Sequence, residues 1–452
     1  MTNNRENSEP ADGNLEPVVE NLESGITDLE VSGTAVAAPP PALLGGAKAR
    51  AADPFFSGRK HYPELDGVRA LAIIGVVCLH FGGVLTPDQV GGLGPVGRAI
   101  HKLFTHGAWG VDLFFVLSGY LITGILLQSR GQSHYFRNFY ARRTLRIFPL
   151  YYGTLFGVLV LLPLALGHVP GMVASAYHHQ AWLWTYTANI CGAMRGGAPL
   201  GNFLHFWTLA IEEQFYLVWP LMVFLIAPKR LLPVAVAGIV LVNLGRAAFI
   251  AATFSPGHGW NGGMVYNWLS GFTLFRADSL LFGAALAVLQ HGGALTRMRR
   301  AFIGLFCASS AAVALCLLFV PRTIDGLQTP VVAHVTLAPL VFGAGIGYLL
   351  TCQPGSWLVR ALSVRPLRAV GKYSYAMYVF HYIYLPLEVR WLPYAIFARV
   401  LHNGLLGLLA YYASAIGIAF VVAFTSYHVY EKHFLKLKKY FPERTAAAAG
   451  KI

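Results

Sequence analysis

The sequence predicts an all-α, polytopic membrane protein of about ten transmembrane helices, with both termini in the cytoplasm. Composition is the first reason. Of 452 residues, 56% are hydrophobic and only 12% charged, against about 25% charged in an ordinary soluble domain. The second is the steady recurrence of apolar runs near twenty residues, the length that carries a helix across a ~30 Å hydrocarbon core. The third is that Lys and Arg gather in alternate connections between those runs.

Residues 1–58 are expected to be a disordered acidic cytoplasmic tail. Its first thirty residues hold eight acids against Arg5 alone, and an Ala/Pro run follows. The polar N-terminus lacks the apolar stretch of a cleavable signal peptide. The membrane domain is expected over 59–435, with helices near 66–86, 110–128, 148–167, 204–226, 232–254, 276–291, 301–320, 332–351, 370–387 and 404–427. An amphipathic stretch, 130–146, separates the second helix from the third. Residues 436–452 read as a basic cytoplasmic C-terminal tail.

With the N-terminus inside, the inner connections hold nineteen Lys and Arg, and the outer ones eight, Arg246 and Arg276 among them. Beyond residue 30 the net charge is +21, which suits anionic headgroups and makes the lipid bilayer the first partner. The bases are scattered between apolar helices rather than gathered on one face, so no nucleic-acid partner is expected. Five cysteines without a CxxC pair argue against a disulfide framework. No HExxH or paired ligand spacing appears, so no metal is expected. The pairs Gly153/Gly157 and Gly343/Gly347 are read as close helix packing.

A few ionisable residues fall where the bilayer should forbid them: Asp66, Asp112, Glu212, Glu213, Asp278, Glu388 and, foremost, His80. An acid at mid-helix costs at least about 2.5 kcal/mol on insertion, which makes such residues functional candidates; the bland alternative is an ion pair that only fixes packing. His80 lies eleven residues beyond Arg69, or ~16 Å further across. By the same rise Glu212 and His381 should reach comparable depths, with Asp112 nearer the outer surface. A neutral imidazole beside a carboxylate is how a general base is oriented; a lone membrane histidine is more often a packing or hydrogen-bonding residue, and the company His80 keeps shifts that balance.

Around these residues the sequence is distinctive. It reads YPELDGVRALAIIGVVCLH from Tyr62 to His80, GVDLFFVLSG from Gly110, RRTLRIFPLY from Arg142, WTLAIEEQFYLVWP from Trp207, GKYSYAMYVFH from Gly371, and YEKHF from Tyr430. In this order the set resembles the acyltransferase-3 family of integral-membrane acyltransferases, over about residues 60–435. The resemblance implies ten helices around a central cavity, and transfer of an acyl group, commonly acetyl, from cytoplasmic acyl-CoA (acetyl-CoA) to a hydroxyl of an envelope glycan or similar acceptor. Thr208 stands where the family's WSL element has serine, which keeps the hydroxyl. No appended hydrolase-like domain, as some relatives carry, is seen in the chain.

On that reading His80 is the general base, and Glu212 or Asp112 holds its tautomer. Asp66, Arg69 and Ser118 line the donor channel or stabilise an oxyanion. Arg142, Arg143 and Arg146, placed just before the third helix, either bind CoA phosphates or anchor the inner face. Glu213, His381 and Asp278 are secondary candidates. A transient acyl-enzyme on His80 or Ser118 competes with direct transfer. The aromatic-rich outer connection 168–203, with Trp182, Trp184 and Tyr186, suits either sugar stacking or interfacial anchoring. The rival is a transporter or flippase using the same charges, whose mark would be an internal repeat with broken helices; none is visible.

Overall fold

The computed structural model describes residues 62–253, 261–319, 323–324 and 327–442, so the expected acidic tail lies outside the described residues. Ten long helices carry the fold: α1 Pro63–Gly82, α2 Trp109–Ser129, α3 Tyr135–Phe156, α4 Phe206–Leu225, α5 Pro228–Thr253, α6 Thr273–His291, α7 Arg299–Phe319, α8 Thr329–Leu350, α9 Arg365–Trp391 and α10 Gly404–Ser426. They coincide with the ten expected spans. Eight helical runs among the described residues are long and apolar enough to cross a membrane. The chain is an all-α polytopic membrane protein.

Local chemistry sets the ends. A proline opens α1, and Glu64 and Asp66 occupy its first turn, where the helix dipole favours acids. Asn403 caps α10 by accepting a hydrogen bond from the Leu406 amide, 3.0 Å. In α3 the helix starts earlier than the hydropathy suggests. It continues through a π-turn, Gly157–Leu161, and a last segment, Leu162–Leu166, to make one 32-residue run. The arginines of RRTLRIF therefore ride on the helix rather than in a loop before it. Nothing in that stretch breaks a helix, and arginine is a good helix former.

Helices α1, α2 and α9 form the centre, with α6 packed along α2. In contrast α5 and α7 bury few residues and turn Leu241, Leu244, Leu318 and Phe319 outward, as lipid-facing helices do. Lipid tails are as apolar as leucine, so close approach of backbones has to supply the packing energy. A Cβ on Gly119 would sit 1.9 Å from the Leu280 carbonyl oxygen, and one on Gly283 would sit 2.0 Å from that of Val116. Each helix thus uses a glycine to touch the other's backbone. Of the expected glycine pairs, Gly343 and Gly347 receive the rings of Phe282 and Phe302, whereas Gly157, in the π-turn, faces nothing within 4 Å.

The connection 168–203 folds into short helices, Gly171–His178 and Ala188–Arg195, and a 3-10 turn, Ala198–Phe203. Tyr186 is buried and stacks on Tyr151 at 4.0 Å, while Trp184 stacks on Tyr152. These two rings are spent on packing. At the other end, Arg142 donates to the carbonyls of Lys438 and Phe441, and Asn138 to that of Pro442. The chain up to Pro442 is therefore docked on α3. Arg246 and Arg276, expected among outer cations, are buried in the bundle at 2% exposure each; without them the outer count falls to six against nineteen.

Candidate active site

A cleft of about 900 Å³, its open mouth included, lies between α1, α2, α3, α4 and α9. Charge is concentrated on its walls. Arg69 comes from α1, Arg143 and Arg146 from α3, and Glu212 and Glu213 from α4. The helical period explains the grouping: Arg143 and Arg146 are three residues apart, so both project from one face of α3. Ser118, at mid-α2, is hydrogen-bonded to Tyr216 one turn beyond Glu212. Arg143 lies over the Tyr216 ring at 5.8 Å. Asp66 is outside the lining but holds Arg69 through a 2.9 Å ion pair. Arg142 is also outside it, on the C-terminal carbonyls. A second cavity of about 330 Å³ shares Arg146 and Tyr375 with the first.

Beyond the cleft's Tyr378 wall stands a pair of imidazoles. His80 Nδ1 is 2.9 Å from His381 Nε2. His381 Nδ1 in turn faces the Tyr378 and Met377 carbonyls at 2.8 and 3.2 Å. A carbonyl can only accept, so His381 carries its proton on Nδ1 and offers a lone pair at Nε2. His80 must then donate from Nδ1, which leaves its Nε2 with an unprotonated lone pair. No hydrogen bond occupies that nitrogen among the described residues. His205 packs edge-on against His381 at 5.0 Å and donates from Nε2 to the Val379 carbonyl at 3.1 Å. The partner of His80 is therefore an imidazole, where the sequence offered Glu212 or Asp112.

The reason lies at the start of α4. His205 immediately precedes this helix and is already beside His381, so α4 begins at the depth of the imidazoles instead of at the outer surface. Glu212, seven residues on, sits ~10 Å deeper and shares the cleft with Arg69. Asp112 is fully buried and engaged elsewhere. Its Oδ1 accepts from Arg276 and from Ser279, each at 2.8 Å, and its Oδ2 from His334 at 2.8 Å. Asp278 pairs with Arg246. These bonds tie α2, α5, α6 and α8 together. Glu388 accepts from Ser414 at 2.9 Å.

Breaking the Arg246–Asp278 pair from one side strands a buried charge. Asp278→Ala is expected to cost about 3–5 kcal/mol, read as a lowered thermal midpoint in detergent. The double change Arg246→Met with Asp278→Leu should recover most of it. Equal midpoints for the single variant and the parent would refute the assignment.

The profile of the acyltransferase-3 family ("Acyltransferase domain") matches residues 62–428, a range that contains the cleft and the imidazole pair. The chain belongs to this family. Curated relatives include peptidoglycan O-acetyltransferase OatA of Listeria monocytogenes, 31% identical over 342 residues, which are 72% of this chain and 49% of the relative. YrhL of Bacillus subtilis is 30% identical over 335 residues, 72% of this chain and 48% of the relative. O-acetyltransferase OatA of Staphylococcus aureus is 28% identical over 341 residues, 72% and 50%. The chain thus spans about half the length of the curated relatives it matches. No solved structure matches.

In this acyltransferase-3 chain the motifs feed the cleft, the imidazole pair and, through Asp112, the separate network with Arg276, Ser279 and His334. GVDLFFVLSG supplies Asp112 and Ser118, WTLAIEEQFY supplies Thr208, Glu212 and Tyr216, and GKYSYAMYVFH supplies Tyr378 and His381. Thr208 keeps a hydroxyl for a reason visible here: it bonds the Tyr378 hydroxyl at 2.7 Å and donates to the His205 carbonyl at 3.0 Å. Sequence reasoning missed His205, Tyr378, His334, Arg246 and Arg276. Arg246 and His334 stand inside apolar runs, and the rule that singled out His80 applies to both.

Proposed function

We propose that this acyltransferase moves an acetyl group from acetyl-CoA, supplied at the cytoplasmic face, to a hydroxyl of a cell-envelope glycan such as peptidoglycan. The observation that carries the reading is the ordered imidazole pair, which gives His80 Nε2 a lone pair, behind a cleft whose mouth is cationic. The names of the relatives support the acceptor class. The Lys and Arg count supports termini on the cytoplasmic side, and with them the mouth bearing Arg143 and Arg146.

Arginine forks suit phosphates. From Arg69 to His80 along α1 is ~16 Å, about half of a ~30 Å hydrocarbon core, a span that an extended pantetheine arm covers. A nucleotide held at the cleft mouth would then present its thioester toward His80. His80 Nε2 takes the proton of the acceptor hydroxyl as the oxygen bonds to the thioester carbon. Collapse of the tetrahedral adduct breaks the C–S bond, and the thiolate recovers the proton from His80. The Ser118–Tyr216 pair, faced by Glu212, supplies hydroxyls along the acyl path.

Purified full-length protein in detergent or liposomes, given labelled acetyl-CoA and envelope glycan, should release CoA and form a base-labile acetate ester on the glycan. Arg143→Ala should raise the KM for acetyl-CoA about tenfold, the loss of one charge-assisted contact. Intact acetyl-CoA after incubation with active-folded protein would sink the reading.

A further inference from the structure

Asp112 and His334 make a second carboxylate–imidazole pair, distinct from His80 and His381. The carboxylate is fixed from three sides, by Arg276, Ser279 and His334, with each bond 2.8 Å. Arg276 alone would neutralise it, so the imidazole is not needed for charge balance. Trp109 stacks on His334 with centroids 5.4 Å apart and planes 5° from parallel. Asp112 therefore fixes which nitrogen faces inward, and Trp109 fixes the plane of the ring.

With Nε2–H committed to the carboxylate, Nδ1 of the neutral ring is a lone-pair acceptor of preset direction. It has no hydrogen-bond partner among the described residues, and 15% of the side chain remains exposed. His80 stands further out along α1, the helix that the start of α2 crosses beside Trp109 and Asp112. The chain entering α2 crosses α1 so closely there that a Cβ on Gly107 would sit 2.0 Å from the Gly75 carbonyl oxygen and one on Gly110 2.5 Å from that of Ala72. The contact points on α1, Gly75 and Ala72, precede His80 by about 8 and 12 Å of helix, a separation that two or three linked sugar rings span.

We infer that His334, oriented by Asp112 and Trp109, is a second contact point for the acceptor: its Nδ1 binds one hydroxyl of a polyhydroxylated molecule such as an oligosaccharide while another hydroxyl reacts at His80. The inference rests on the acyl-transfer reading above and adds to it a specificity residue. A site that presents a rigid, otherwise unmatched acceptor discriminates strongly for ligands that bring a donor. A simple alcohol has one hydroxyl and cannot use both imidazoles.

The test uses full-length protein, acetyl-CoA and chitopentaose as the acceptor probe. His334→Gln can still donate to Asp112 from its amide, but its acceptor is now an amide oxygen displaced from the Nδ1 position and no longer fixed in plane by stacking on Trp109. Its KM for chitopentaose should rise about tenfold, with kcat and the KM for acetyl-CoA within about twofold of the parent. An unchanged chitopentaose KM overturns the inference, and so does a fall in kcat at constant KM, which marks a structural role. Parent protein that transfers no acetyl to chitopentaose overturns the glycan-acceptor reading beneath it. Should His334→Gln fail to fold, the parent protein decides. Saturating chitopentaose should protect His334 from diethylpyrocarbonate at least about fivefold by mass spectrometry, and equal labelling overturns the inference.

Discussion

His80→Ala is expected to lower acetyl transfer by at least about 10²-fold while leaving a folded protein. General bases contribute typically 10²- to 10⁴-fold, and here the lone pair that would act is created by the network rather than by the residue alone. His80 is half-buried, so its removal opens little core. Its removal gives up the bond to His381 Nε2 and a contact with the Val76 carbonyl, a modest cost of about 1 kcal/mol for each. His381→Gln should be milder, about tenfold, because the amide oxygen can still accept from His80 Nδ1 but no longer relays the constraint from the Tyr378 carbonyl. Transfer of labelled acetate to glycan, normalised to monodisperse protein, separates the cases. Parental activity in His80→Ala would remove the base assignment.

Gly119→Val carries the largest expected structural effect. The missing Cβ at this position would lie 1.9 Å from a backbone oxygen, which no rotamer change relieves. Helices α2 and α6 would have to part along their whole contact, and with them the Arg276–Asp112 pair that bridges the two. Losses above about 4 kcal/mol come from few mechanisms, and overpacking against a rigid backbone is one. Little monodisperse protein should be recovered after extraction, and Gly119→Ala should already show a depressed thermal midpoint. A valine variant as stable as the parent would mean that the two helices are not in register as described.

How much of this was legible in the sequence depended on whether the signal was local. The ten spans were, because hydropathy over twenty residues is a property of contiguous chain. Of the donor-channel candidates, Arg69, Ser118, Arg143 and Arg146 line the cleft with Glu212 and Glu213, whereas Asp66 and Arg142 stand outside it. Pairing was not legible. Depth counted from a presumed helix start put Glu212 level with His80, and it failed because the turn before α4 is tucked inside the bundle, carrying His205 to His381. Asp112 could not be assigned for a similar reason. Its partners Arg276, Ser279 and His334 come from helices more than 160 residues away in sequence, and no spacing rule connects them. Arg276 was misread as an outer cation because an arginine at a span boundary looks the same whether it faces water or a buried acid, and Arg246 because it was counted with the outer connection although it stands inside its span.

The early start of α3 bears on how the protein meets the lipid. Thirty-two residues of helix extend ~48 Å, which exceeds a ~30 Å hydrocarbon layer by ~18 Å. Tilting or local thickening of the bilayer would be needed if the whole run were apolar. The surplus equals the length of the first twelve residues, Tyr135–Arg146, which contain all the arginines of the helix. The helix can therefore stand in an unperturbed bilayer with its polar third in the headgroup region. One side of the cleft is then a ladder from water to hydrocarbon, on which the proposed acyl-CoA donor would keep its phosphates hydrated while only its uncharged arm descends.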